Sequence, residues 1–232
     1  MGCPRFLKPE QGVATASEDL RLPQMVTPLH YELDLELSPD RPEYRGVVRI
    51  KVQLDSPQSK IHLHSKGLTF ERIEYRSGNT VNVLTAESVS AGLVRLKTAG
   101  QFPMGEGELE IRFSGQITNT PDGLYRVRDG DQDYIFSQFE PISARTAFPC
   151  FDEPRFKAPF KVSVVVPTGN LVVSNAPEMK RSETKKYTRF EFRETRPLPT
   201  YLVAFGIGPL EVVESSTTVS YTHLTLPTTP YV

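Results

Sequence analysis

The densest candidate chemistry in the 232-residue chain lies in Tyr134-Ile-Phe-Ser-Gln-Phe-Glu-Pro-Ile-Ser-Ala-Arg-Thr-Ala-Phe-Pro-Cys-Phe-Asp-Glu-Pro154, an aromatic segment stiffened by three prolines. Gln138 and Glu140 stand two positions apart. On an extended strand both project from one face while Phe139 points to the other. Pro141 has no N–H for a ladder and should end the strand there, leaving the pair near a sheet rim. A carboxylate beside an amide oxygen suits a cation that carries several N–H donors. The same two side chains also read as an ion-paired or capping Glu140 next to a solvated Gln138, and the residues alone leave both readings open.

Other combinations are weaker. Asp152 and Glu153 could be an acid and base pair, but neighbours on a strand face opposite sides. Arg145 reads equally as a local partner for an acidic side chain or as a surface contact. His62-Leu-His64 puts two imidazoles at i and i+2, but with no nearby cysteine or third ligand it reads as a solvated edge rather than a metal site. Cys150 would need a base to act as a nucleophile, and it reads as a small buried hydrophobe. Gly206-Ile-Gly208 lacks the third glycine and the following helix of a dinucleotide loop. Lys180–Lys186 reads as a solvated hairpin turn.

The elements that must position these residues are strands. His30–Leu37 alternates Leu33, Leu35 and Leu37 with Glu32, Asp34 and Glu36, a strand with one wet face. Val48, Ile50, Val52 and Leu54 alternate in the same way, and the turn Ser38-Pro-Asp-Arg-Pro42 joins the two as a hairpin. Strand patterns continue at Lys60–His64, Leu68–Tyr75, Thr80–Leu84, Leu93–Lys97, Glu108–Phe113, Tyr134–Phe139, Phe160–Val166, Leu171–Ser174, Tyr187–Phe192 and Tyr201–Ile207. Only Ile142–Phe148 has room for a helical turn. Many short strands without alternating helices predict an all-β fold, an antiparallel β-sandwich or saddle.

Composition narrows the function classes. With 27 basic and 28 acidic side chains, the net charge of −1 carries no footprint for nucleic acid or anionic lipid. No apolar run approaches the roughly 18–20 residues of a membrane-spanning helix. The opening residues show no apolar core of a signal peptide, and export stays undecided. Two cysteines, Cys3 and Cys150, do not make a disulfide framework.

Taken together, Gln138-Phe-Glu-Pro141, Ala144-Arg145 and Ala147-Phe-Pro-Cys-Phe-Asp-Glu-Pro154 resemble the signature of the aminopeptidase N family of zinc metallopeptidases. Leu22-Pro23, Val26-Thr-Pro-Leu-His-Tyr31, Leu171-Val-Val-Ser-Asn-Ala-Pro177 and Pro199-Thr-Tyr-Leu-Val-Ala-Phe205 agree with it in order and spacing. The resemblance implies that family's N-terminal β domain, which sits over the catalytic domain and closes one end of its cleft. It implies that Glu140 binds the free α-amino group of a peptide substrate and that Gln138 lines the same subsite. The family's zinc motif, His-Glu-x-x-His, and its Gly-x-Met-Glu-Asn loop occur nowhere in this sequence. Zinc is therefore expected in a full-length enzyme and not in this chain, which alone should be inactive. The implied partners are peptides with a free N-terminus and the catalytic domain of the same polypeptide, with no nucleic acid and no membrane.

The expected organisation is a disordered leader over 1–17, the β domain over 18–218 and a foreign tail over 219–232. That tail, from Val219-Ser-Tyr-Thr-His-Leu-Thr-Leu-Pro-Thr228 onward, resembles the in-frame translation of a sequencing adapter. The leading expectation is a substrate-anchoring domain of a zinc aminopeptidase, cut short before its catalytic domain. The alternative is a related non-catalytic binding or scaffolding module.

Overall fold

The computed structural model describes residues 21–90 and 92–211. The expected leader over 1–17 and tail over 219–232 lie outside them. Fifteen strands run in chain order: β1 (Val26–Glu36), β2 (Glu43–Leu54), β3 (Gln58–His64), β4 (Thr69–Ser77), β5 (Thr80–Val83), β6 (Thr85–Ser90), β7 (Leu93–Phe102), β8 (Gly105–Gln116), β9 (Gly123–Asp129), β10 (Gln132–Gln138), β11 (Phe160–Pro167), β12 (Leu171–Ser174), β13 (Glu178–Glu183), β14 (Tyr187–Phe192) and β15 (Phe205–Gly208). Among the described residues the only helical pieces are two short 3-10 turns, Ala144–Thr146 and Thr200–Leu202.

The strands form an eight-stranded sheet in the order β13-β14-β11-β1-β2-β8-β4-β5, a four-stranded sheet β12-β15-β10-β9 and a three-stranded sheet β3-β7-β6. The fold is all-β, as the alternation predicts. The β1–β2 hairpin pairs Leu33 with Val48 and Tyr31 with Ile50, so both apolar rows land on one face. One pairing departs from the antiparallel expectation. Strand β11 lies parallel to β1, Leu33 beside Val162, because some 120 residues of intervening chain let it return in the same direction.

The differences from expectation have local causes. Strands β6 and β13 are edges with almost wholly exposed side chains, so they carry no alternating apolar signal. The Lys180–Lys186 turn is in part strand: β13 runs to Glu183 and the turn occupies only 184–186. Tyr201–Ile207 is not one strand. Pro199 precedes a 3-10 turn, and only Phe205–Gly208 enters the sheet. Strand β9 went unanticipated, since Arg126 and Arg128 break its apolar row.

A ladder of rings ties the large sheet to the small one. Tyr31 of β1 stacks on Phe160 of β11 at 4.4 Å. Phe160 meets Phe148 at 6.2 Å, Phe148 meets Phe139 at 5.9 Å, and Phe139 meets Phe205 of β15 at 6.4 Å, all edge-on. Edge-to-face packing is a favoured geometry for buried rings. Phe139, flanked by Gln138 and Glu140, is thereby anchored in the core.

Candidate functional site

Strand β10 ends at Gln138, whose ladder partner across β9 is Gly123. Glu140 lies two residues on, in the turn that follows, and the Glu140–Pro141 peptide is cis. The Ser143 N–H donates to the Phe139 carbonyl at 2.8 Å and closes that turn. Gln138 and Glu140 are both exposed while Phe139 is 2% exposed, so the alternation persists beyond the last ladder bond. Among the described residues neither Gln138 nor Glu140 has a hydrogen-bond or ion-pair partner for its side chain. The ion-paired, capping reading of Glu140 is therefore absent from the described residues. What is left is a solvent-facing carboxylate and amide on a fixed base, an arrangement able to accept several N–H donors.

The loop that follows the turn is held by buried polar contacts. The Arg145 Nε donates to Asp152 Oδ2 at 2.8 Å, and an Arg145 terminal nitrogen donates to the Asp152 carbonyl at 3.0 Å. Thr200 Oγ1 donates to Asp152 Oδ1 at 2.5 Å, and the Asp152 N–H donates to His64 Nδ1 at 3.1 Å. Two tyrosines brace the same loop from the large sheet. The Phe151 N–H donates to the Tyr31 hydroxyl at 3.1 Å, and the Tyr44 hydroxyl donates to the Ala147 carbonyl at 2.8 Å. Glu153 receives the Leu22 N–H at 2.5 Å and Arg155 Nε at 2.6 Å, which ties down the start of the described chain.

Several expectations are corrected or sharpened here. Arg145 is not a surface contact: it is 5% exposed and committed to Asp152. His64 is not on a solvated edge. It is fully buried, and β3 exchanges both backbone bonds with Cys150, His64 N–H to Cys150 O at 2.8 Å and the reverse at 3.0 Å. Its Nδ1 accepts from Asp152, so His62 and His64 do not offer paired ligands, and among the described residues no group of three or more His, Cys, Asp or Glu could hold a metal ion. The zinc ion of the resemblance does not fit the described residues of this chain. Cys150 is buried and free, and burial pushes its thiol well above the usual range, with Asp152 adding and Arg145 opposing. His62 is held below its ordinary value of 6.5 by partial burial first, then by Arg95 and Lys60.

The residues that sequence reasoning missed are supports: Thr200, Tyr31, Tyr44 and His64. Their partners lie between 48 and 120 positions away along the chain, so no local pattern marks them.

Residues 27–202 match the family model described as the Peptidase M1 N-terminal domain. Similar proteins include Aminopeptidase M1-D of Oryza sativa subsp. japonica, 30% identical over 201 residues that cover 85% of this chain and 23% of that protein. Glutamyl aminopeptidase of Sus scrofa is 31% identical, covering 88% of this chain and 24% of its own length. Endoplasmic reticulum aminopeptidase 1 of Homo sapiens is 31% identical, covering 85% and 22%. The chain spans about a quarter of the length of these relatives.

Proposed function

Because this chain belongs to the Peptidase M1 N-terminal domain family, we propose that it is the substrate-anchoring part of a zinc aminopeptidase, in which Glu140 receives the free α-amino group of a peptide and Gln138 the donors beside it. The domain we assign runs over residues 18–218, wider than the matched 27–202. The observation that carries the reading is Glu140 itself, an exposed carboxylate without a partner among the described residues, standing on a turn held by buried Phe139 and by the Ser143 N–H bond to the Phe139 carbonyl.

The chemistry follows from charge and geometry. An α-amine with a pKa of about 7.7–8.0 is largely protonated at neutral pH, so a carboxylate is its natural partner. A hydrogen bond to a charged group contributes about 1.5–3 kcal/mol net. Fixing the amine also fixes register, because only the first peptide bond then lies at a set distance from Glu140. The zinc ligands and the reacting groups would lie outside this chain, in the remaining three quarters of an enzyme of the relatives' length.

The test is a titration of the 232-residue chain with L-leucinamide and with N-acetyl-L-leucinamide, followed by amide resonances. The free amine should shift Gln138 and its neighbours saturably, the acetylated compound should not, and Glu140→Gln should weaken binding about tenfold or more. Equal binding of both compounds, or unchanged binding by Glu140→Gln, overturns the assignment and favours a scaffolding module.

A further inference from the structure

The outer face of the four-stranded sheet runs without interruption into Gln138 and Glu140. Strand register puts Tyr125 directly opposite Phe136, and Val127 opposite Tyr134, on the same side of β9 and β10 as Gln138. The Tyr125 and Phe136 rings lie 6.2 Å apart, and Tyr134 stacks on Phe136 at 6.3 Å and 12°. Val173 of β12 comes up on the other side, across Gly206 of β15.

Two glycines make this face flat. A Cβ on Gly208 would lie 2.5 Å from the Tyr134 ring, and one on Gly206 would lie 2.9 Å from Val173 and 3.6 Å from the Phe136 ring. The rings therefore lie down over bare backbone. Val127 is 39% exposed and Val173 44%, and among the described residues of these strands no charged side chain stands on this face between Asp129 at one end and Glu140 at the other. An apolar plateau left open beside polar groups marks a binding surface.

We propose that Phe136, with Tyr125 against it, is the wall that receives the side chain of the peptide's first residue, and that it selects aromatic and large aliphatic side chains. The inference rests on the anchoring role of Glu140. An amine held at Glu140 places that side chain over Gln138, and Phe136 begins one same-face repeat further on, about 7 Å away. A long apolar side chain spans that interval and removes both surfaces from water. A carboxylate or ammonium there would lose hydration and find no partner. Glycine would reach nothing.

The experiment titrates the 232-residue chain with glycinamide, L-glutamic acid α-amide and L-phenylalaninamide, following the Tyr125, Gln138 and Glu140 amide resonances. Phenylalaninamide should bind about tenfold more tightly than glycinamide, since a few methylenes of apolar contact give such ratios. Phe136→Ala should reduce that ratio to below about threefold and leave glycinamide binding unchanged. Tyr125→Ala should do the same, and it supplies the answer if Phe136→Ala does not fold. Glu140→Gln should weaken the free amines alike and preserve the ratio, which separates failure of the anchor from failure of the wall. An unchanged ratio in both aromatic variants overturns the proposal. So does an equal ratio in the parent chain, or a change confined to sedimentation behaviour, which would mean that a second copy covers the plateau. No saturable binding by any amide removes the wall and the anchor together.

Discussion

Arg145 and Asp152, seven residues apart, form an ion pair whose side chains are 7% and 1% exposed, and Arg145 follows Glu140 by five residues in the same loop. Asp152 also holds Thr200 through its carboxylate and His64 through its backbone N–H, so one residue joins the loop after β10 to the three-stranded sheet and to the chain entering β15. Removing one member of a buried pair leaves the other charge without compensation. Asp152→Ala should therefore lower stability by about 3–5 kcal/mol in a denaturant titration. Arg145→Met with Asp152→Leu should cost less than Asp152→Ala alone. A loss below about 1 kcal/mol for the single variant would mean that the pair is dispensable.

Gly123 has φ +78°, and a Cβ there would lie 2.2 Å from Thr146 Oγ1. It is also the ladder partner of Gln138. Gly123→Ala should cost about 1–3 kcal/mol through backbone strain and displacement of Thr146, and should move the Gln138 amide resonance. An unaltered Gln138 resonance would disconnect this contact from the site.

Burial holds the Cys150 thiol well above its usual range, so the reactive thiolate is scarce in the folded protein. In a Cys3→Ser background, a disulfide reagent at pH 8 should leave the folded chain unlabelled and should titrate one thiol only after denaturant is added. Rapid labelling of the folded chain would show that the Cys150 environment opens.

His62 lies 3.4 Å from Arg95 Nε, with Lys60 two residues before it on the same strand. Its folded pKa is below the unfolded value of 6.5, so the unfolded chain binds the proton more readily. This contribution to stability is complete above pH 6.5 and is lost progressively as the pH falls below it toward the folded value. Thermal melts should show a falling midpoint in that window, and His62→Gln should flatten the dependence. An identical slope in the variant would assign the loss to other groups.

Much of the fold was legible because its signals are local. Leu33, Leu35 and Leu37 against Glu32, Asp34 and Glu36, or Val48 through Leu54, specify a strand and its buried face within ten residues, and Pro or Gly marks the turn after several of them. The shared exposed face of Gln138 and Glu140 was legible in the same way, from their two-residue spacing around Phe139 and the proline that follows. Tertiary structure alone decided which strands became neighbours. It set β11 parallel to β1 and buried His64 against Cys150. It also turned Arg145 from a surface candidate into half of a buried pair, and laid Tyr134, Phe136 and Val173, from two strands, against two glycines of a third. These relationships join residues that are distant in sequence or carry no periodic pattern. Their energies come from desolvation and from contacts that exist only once the sheets have closed.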